Sequence, residues 1–100
     1  KELDEARDWM VTLGRKTAAE KVASFLLLIA RNIDPTARTR PGASFDLPLT
    51  RADIADFLGL TIETVSRQLT RLRADGVIRI ENNRHVVIDH MARLEARSGI

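Results

Sequence analysis

The sequence predicts a mainly α-helical domain with a small β-sheet, a winged helix-turn-helix. Three observations carry that prediction. Two short amphipathic patterns flank a Gly59-Leu60-Thr61 turn within residues 50–76. The second pattern carries a polar face that no core requires. Two β-branched runs then follow, Val77, Ile78 and Ile80 before the Glu81-Asn82-Asn83-Arg84 segment and His85 to Ile88 after it, which reads as a hairpin with an Asn-Asn turn. In such an arrangement the first helix of the motif braces, and the second is offered to the major groove of DNA.

One hundred residues with 44% apolar content fit one compact core. The formal charge is +2, with 16 basic residues against 14 acidic ones. Residues 1–8 hold four acids against Lys1 and Arg7, so the rest of the chain is the more basic part. Arginine far outnumbers lysine, and its planar fork suits phosphates and guanine edges. With no cysteine, disulfides, thiolate metal sites and Cys nucleophiles are excluded from this segment. The apolar run from Phe25 to Ala30 is hemmed in by Lys21 and Arg31, too short for a membrane span. A cytoplasmic protein is expected. Because the chain opens on Lys1 in charged helical sequence, it is expected to be a fragment of a longer protein.

Residues 1–14 read as the end of a helix, with Leu3, Ala6, Trp9, Met10 and Leu13 on one stripe. That stripe either packs within the domain or is the tail of a dimerisation helix, and Trp9 favours the second. Residues 15–100 form the winged-helix domain. From Arg15 to Asn32 a supporting helix is expected, with Ala18, Val22, Phe25, Leu26, Ile29 and Ala30 recurring at helical intervals and Glu20, Ser24 and Arg31 on its wetter faces. Asp34-Pro35 stops it, and residues 33–44 make a loop. Phe45, Leu47 and Leu49 alternate with Asp46 and Pro48, an extended piece that Pro48 confines to an edge.

Thr50 should cap the first motif helix, with Asp53 completing a capping-box-like start and Gly59 ending it in the left-handed conformation. Thr61 caps the second, from about Ile62 to Ala74. At 100° per residue, Ile62, Val65, Leu69 and Leu72 fall within an arc of roughly 80° and form its buried stripe. The opposite arc holds Glu63, Thr64, Arg67, Thr70 and Arg71, with Ser66 and Gln68 on the margins. Asp75-Gly76 ends the helix. Asp89 is expected to cap a last helix that packs through Met91, Leu94 and Ile100, with Ser98-Gly99 as its fraying end.

Glu63, Ser66 and Arg67 cluster near the N-terminal end of the second helix, where base edges are met. Glutamate can accept from cytosine N4, and arginine can fork onto guanine O6 and N7. An acid costs affinity for a polyanion, so Glu63 makes sense as a specificity residue. The alternative is a helix-dipole partner or an intrahelical pair with Arg67. Thr50, Thr61 and Thr64 suit phosphate contacts. His85 and His90 have no partners that would build a metal site, and Ser66 has no nucleophile elbow. Nothing in the residues points to an enzyme.

The block L-T-R-A-D-I-A-D-F-L-G-L-T-I-E-T-V-S-R-Q-L-T-R-L, followed by G-V-I-R-I, resembles the C-terminal DNA-binding domain of the CRP/FNR transcription regulators. Within them the E-x-x-S-R motif after G-L-T is similar to the FNR and FixK branch, and G-R-K-T-A-A-E-K-V-A-S-F-L resembles the helix that opens the domain. The resemblance implies one half of a homodimer that binds a palindromic site on double-stranded DNA, with a half-site like TTGAT, and activates transcription by touching RNA polymerase. It implies Glu63, Ser66 and Arg67 as base readers and Thr50, Arg51, Thr61 and Thr64 as grips on the backbone. Arg71 and the wing residue Asn83 are expected among the phosphate contacts as well, although relatives carry Gly-Lys or similar at Asn82-Asn83. Loop 33–44 lies where the cyclic-AMP receptor meets polymerase, which makes Arg38 and Arg40 candidates for that contact. No cofactor is expected in this segment. The rival expectation is a winged helix whose exposed helix docks a protein.

Overall fold

The computed structural model describes residues 16–33 and 42–99. The expected dimer helix of residues 1–14 and the arginines of the loop, Arg38 and Arg40, lie outside the described residues. In chain order the elements are α1 (Ala18–Ile33), β1 (Ala43–Asp46), α2 (Arg51–Leu58), α3 (Ile62–Ala74), β2 (Arg79–Glu81), β3 (His85–Ile88) and α4 (Met91–Arg97).

Helix α1 starts on a capping box that the sequence reading passed over. The Thr17 Oγ1 accepts from the Glu20 amide at 3.2 Å, and the Glu20 carboxylate accepts from the Thr17 amide at 2.9 Å. That backbone bond from Thr17 holds the Glu20 carboxyl below the usual glutamate range. The next three turns bury Val22, Ala23, Phe25, Leu26, Leu27 and Ala30, and the helix lies across the middle of the core. Fully burying a side chain such as Leu26 is worth about 1.5–3 kcal/mol. Ser24, expected on a wet face, is buried and donates to the Ser98 carbonyl at 3.2 Å. Helix α4 packs against this side of α1, which removes the face from water.

The sheet is antiparallel and three-stranded, in the order β1-β3-β2. The two-stranded hairpin expected from sequence is therefore extended: β1 pairs with β3 through Phe45↔Val86 and Asp46↔His85, while β2 pairs with β3 through Ile80↔Val86 and Glu81↔His85. Phe45 and Leu47 reach the core, but Leu49 does not, because the chain bends at Pro48 and leaves the alternation. Asp46 and His85 face each other on the outer side, with His85 Nδ1 2.7 Å from Asp46 Oδ1. Gly42 sits so close to the last strand that a Cβ there would fall 2.2 Å from the Ile88 carbonyl oxygen, so only glycine fits.

The wing turns on Asn82 and Asn83, both at positive φ (54° and 62°), and the Arg84 amide donates to the Glu81 carbonyl at 3.2 Å. Both central residues in the left-handed region match the twist of a hairpin, and asparagine tolerates that region better than most side chains. Beyond the wing, Asp89 does not cap α4. It instead takes two bonds from Arg79, at 2.9 and 3.2 Å, and His90 occupies the cap position without a side-chain bond. Met91 and Leu94 are buried as expected, and Ile100 lies outside the described residues. The expected fraying at Ser98 is not found: Ser98 is fully buried, and its carbonyl accepts from Lys16 Nζ at 2.6 Å as well as from Ser24.

Candidate nucleic-acid interface

The helix-turn-helix is fixed by its caps. Thr50 Oγ1 accepts from the Asp53 amide at 3.1 Å, and Thr61 Oγ1 accepts from the Thr64 amide at 3.1 Å. Each bond satisfies one of the amides that a helix start leaves without a partner. Thr61 also donates its hydroxyl proton to Thr64 Oγ1 at 2.8 Å. Between the two helices Gly59 takes φ 70°, the left-handed turn that sends Leu60 back onto the core. Lys21 of α1 donates to the Leu58 carbonyl at 3.2 Å, closing the C-terminal end of α2. The angle between brace and second helix thus follows from short-range chemistry at residues 58–64.

Val65, Leu69 and Leu72 face inward and are buried, as the stripe requires. Ile62 departs from it. Its position on the arc is right, but it lies in the first turn, where the helix extends past the edge of the core, and it is 49% exposed against 0% for Val65. The outer arc consequently begins with an apolar residue directly beside Glu63. Glu63, Arg67, Thr70 and Arg71 are exposed, and Ser66, Thr64 and Gln68 are half-buried. Glu63 and Arg67 make no ion pair with each other or with another described residue, so the intrahelical pair weighed as an alternative for Glu63 is not formed.

Near the start of α2 a second group gathers. The Arg51 guanidinium donates through Nη2 to Asn83 Oδ1 at 3.3 Å, across 32 residues of sequence. Thr50, Arg51, Asn83 and Arg84 line one open cleft of about 360 Å³ between this helix and the wing. Arg84 was not among the residues expected to contact DNA. It closes the wing turn, between Asn83 and the first residue of β3, and no rule of helix or strand periodicity singles it out. The structure therefore brings together Thr50, Arg51 and Asn83 in one group, and Thr61, Thr64, Glu63, Ser66 and Arg67 at the start of α3. Arg71 stands a turn further along α3. Three other arginines are taken up internally. Arg79 holds Asp89. Arg93 donates to the Gly76 and Asp75 carbonyls, both at 3.1 Å, and Arg97 pairs with Asp75 at 2.8 Å.

Among the described residues, no cluster of three or more His, Asp or Glu side chains could hold a metal ion. No described helix is long and apolar enough to cross a membrane.

A capped second helix with an exposed polar arc, a bracing helix and a wing define a winged helix-turn-helix domain of the DNA-binding class. Residues 20–97 match the family model described as a Crp-like helix-turn-helix domain. The chain belongs to the CRP/FNR family, in its FNR/FixK branch, as a DNA-binding domain. It is 66% identical over 95 residues to a protein of Rhizobium leguminosarum bv. viciae named "Probable transcriptional activator", covering 95% of this chain and 39% of the relative. Against the transcriptional activator protein FnrL of Cereibacter sphaeroides the identity is 54% over 101 residues, covering 98% of this chain and 40% of FnrL. The structure of FixK2 from Bradyrhizobium japonicum superposes with a TM-score of 0.82 at 42% identity, over 96% of this chain and 46% of that one. The chain spans about two fifths of the length of these curated relatives.

Proposed function

We propose that this chain is the part of a transcription activator that reads DNA sequence, with α3 in the major groove and Glu63, Ser66 and Arg67 as base readers. One observation carries the reading. These three side chains stand together near the capped start of α3, Glu63 and Arg67 exposed and Ser66 half-buried at the margin of their arc, and neither Glu63 nor Arg67 is held by an ion pair among the described residues. Thr50, Arg51, Thr61, Thr64, Arg71 and Asn83 grip the phosphates around them. The site is a palindrome with half-sites like TTGAT, bound by a homodimer whose two recognition helices lie one DNA turn apart, about 34–36 Å. Residues 1–14 belong to the dimerisation helix, and residues 15–100 form the binding domain. Activation proceeds in the cytoplasm through contact with RNA polymerase, for which Arg38 and Arg40 are the candidates. The names of the relatives, activators and nitrogen-fixation regulators, support this reading.

Titrating the chain with a TTGAT palindrome and with a scrambled duplex at two salt concentrations tests it. Binding that falls steeply with salt and favours the palindrome is expected, since released counterions set the slope and base contacts set the preference. Equal binding of both duplexes at either salt would favour a protein-docking module instead. Thr61→Ala should weaken both duplexes about equally, because a phosphate grip carries no sequence information, and should cost about 1 kcal/mol of stability through the lost cap.

A further inference from the structure

We infer that the wing contributes to DNA binding through Arg84 as a phosphate ligand, and that Asn83 is a positioning residue that aims Arg51. The inference rests on the DNA-binding reading above and refines the part Asn83 plays in it. A guanidinium has donors only, so the Arg51 Nη2 contact at 3.3 Å requires Asn83 to turn its carbonyl oxygen towards Arg51. That oxygen is committed to Arg51, and the two Nδ2 hydrogens are what the amide keeps for any other partner. The backbone that carries it is held at φ 62° within the hairpin turn, which places the root of the side chain opposite Arg51. Arg51, in contrast, keeps its other donors for a ligand and lines the same cleft as Arg84 and the Thr50 hydroxyl.

The main chain of Arg84 is fixed on both sides. Its amide donates to the Glu81 carbonyl at 3.2 Å, and its carbonyl accepts from the Leu47 amide at 2.8 Å. The side chain is exposed on this anchored backbone. Two arginines thus reach one cleft from opposite walls, one from α2 and one from the wing, and no carboxylate lines it. The chemistry is that of a backbone phosphate bridged between two forks.

The test uses the full chain and a scrambled duplex titrated between about 50 and 200 mM salt, where each lost phosphate contact lowers the slope by about 0.9. Arg84→Ala should lower the slope by about that amount per bound chain, so its affinity falls about three- to fourfold less across the range than the parent's. Asn83→Gly keeps the positive-φ turn while removing the side chain, and should weaken binding on the order of threefold. Combined with Arg51→Ala it should add nothing, because its effect passes through Arg51. A double variant weakened by the product of the two single losses would overturn the positioning role and make Asn83 a direct ligand. An unchanged slope in Arg84→Ala, with the far-ultraviolet spectrum retained, would overturn the role of Arg84. A parent with a steep slope and no preference for the palindrome would sink base reading and leave this clamp standing, whereas a parent without salt-dependent binding would overturn both.

Discussion

The arginines at the two ends of α3 are chemically identical and differently engaged. Towards the start and along the outer arc, Arg67 and Arg71 are exposed and pair with no described residue. Past the C-terminal end, Arg93 caps the Asp75 and Gly76 carbonyls, Arg97 pairs with Asp75, and Arg79 holds Asp89 at the root of the wing. The difference separates two jobs that composition alone merges. Cations placed where a helix leaves carbonyls without partners stabilise the fold, and cations left unpaired on the outer arc remain available for a polyanion.

The contrast breaks if the outer arginines prove structural. Arg67→Ala should cost about 1–3 kcal/mol of binding to the palindrome and relax the preference at the guanine of the half-site, with a urea midpoint within about 0.5 kcal/mol of the parent. Equal losses on palindromic and scrambled duplexes would remove Arg67 from base reading. Arg93→Ala should do the reverse. Two charge-assisted bonds at the end of α3 are lost, for about 1 kcal/mol of stability, while palindrome preference in the folded protein stays unchanged. Arg97→Ala removes one partly exposed ion pair and should cost no more than about 1 kcal/mol.

The smallest effect is expected at the wing root and depends on pH. The bonds from Arg79 hold the Asp89 carboxyl below the ordinary aspartate range. A folded-state value lower than the unfolded one means that this brace is fully present above the ordinary value and is lost as pH falls through the depressed one. Acid titration of the unfolding midpoint should show that loss in the parent. In Arg79→Ala the loss should be smaller.

Much of this was legible because local rules decide it. Thr50, Gly59, Thr61 and Asp75-Gly76 bound their helices through caps that need only near neighbours, and the Asn-Asn turn selects its own hairpin. The errors fall where distant packing decides. Periodicity put Ile62 in the buried stripe but could not say where the core ends. Ser24 and Ser98 look like surface residues until α1 and α4 are brought together, and Asp89 looks like a cap until Arg79 lies opposite it. On the outer arc of α3, the exposure of Glu63 and Arg67 could be read from helical spacing. The Arg51–Asn83 contact spans 32 residues and has no signature in either segment.

The middle position of β3 leaves both margins of the sheet short. On one side β2 has three residues, with Arg79 and Glu81 exposed; on the other β1 has four, and Pro48 follows two residues beyond it. Charged and abbreviated margins give an approaching strand too few amides and carbonyls to pair with. Copies of the chain crowded side by side therefore find little free edge on which to exchange strands, a consequence of the same hairpin that carries the wing.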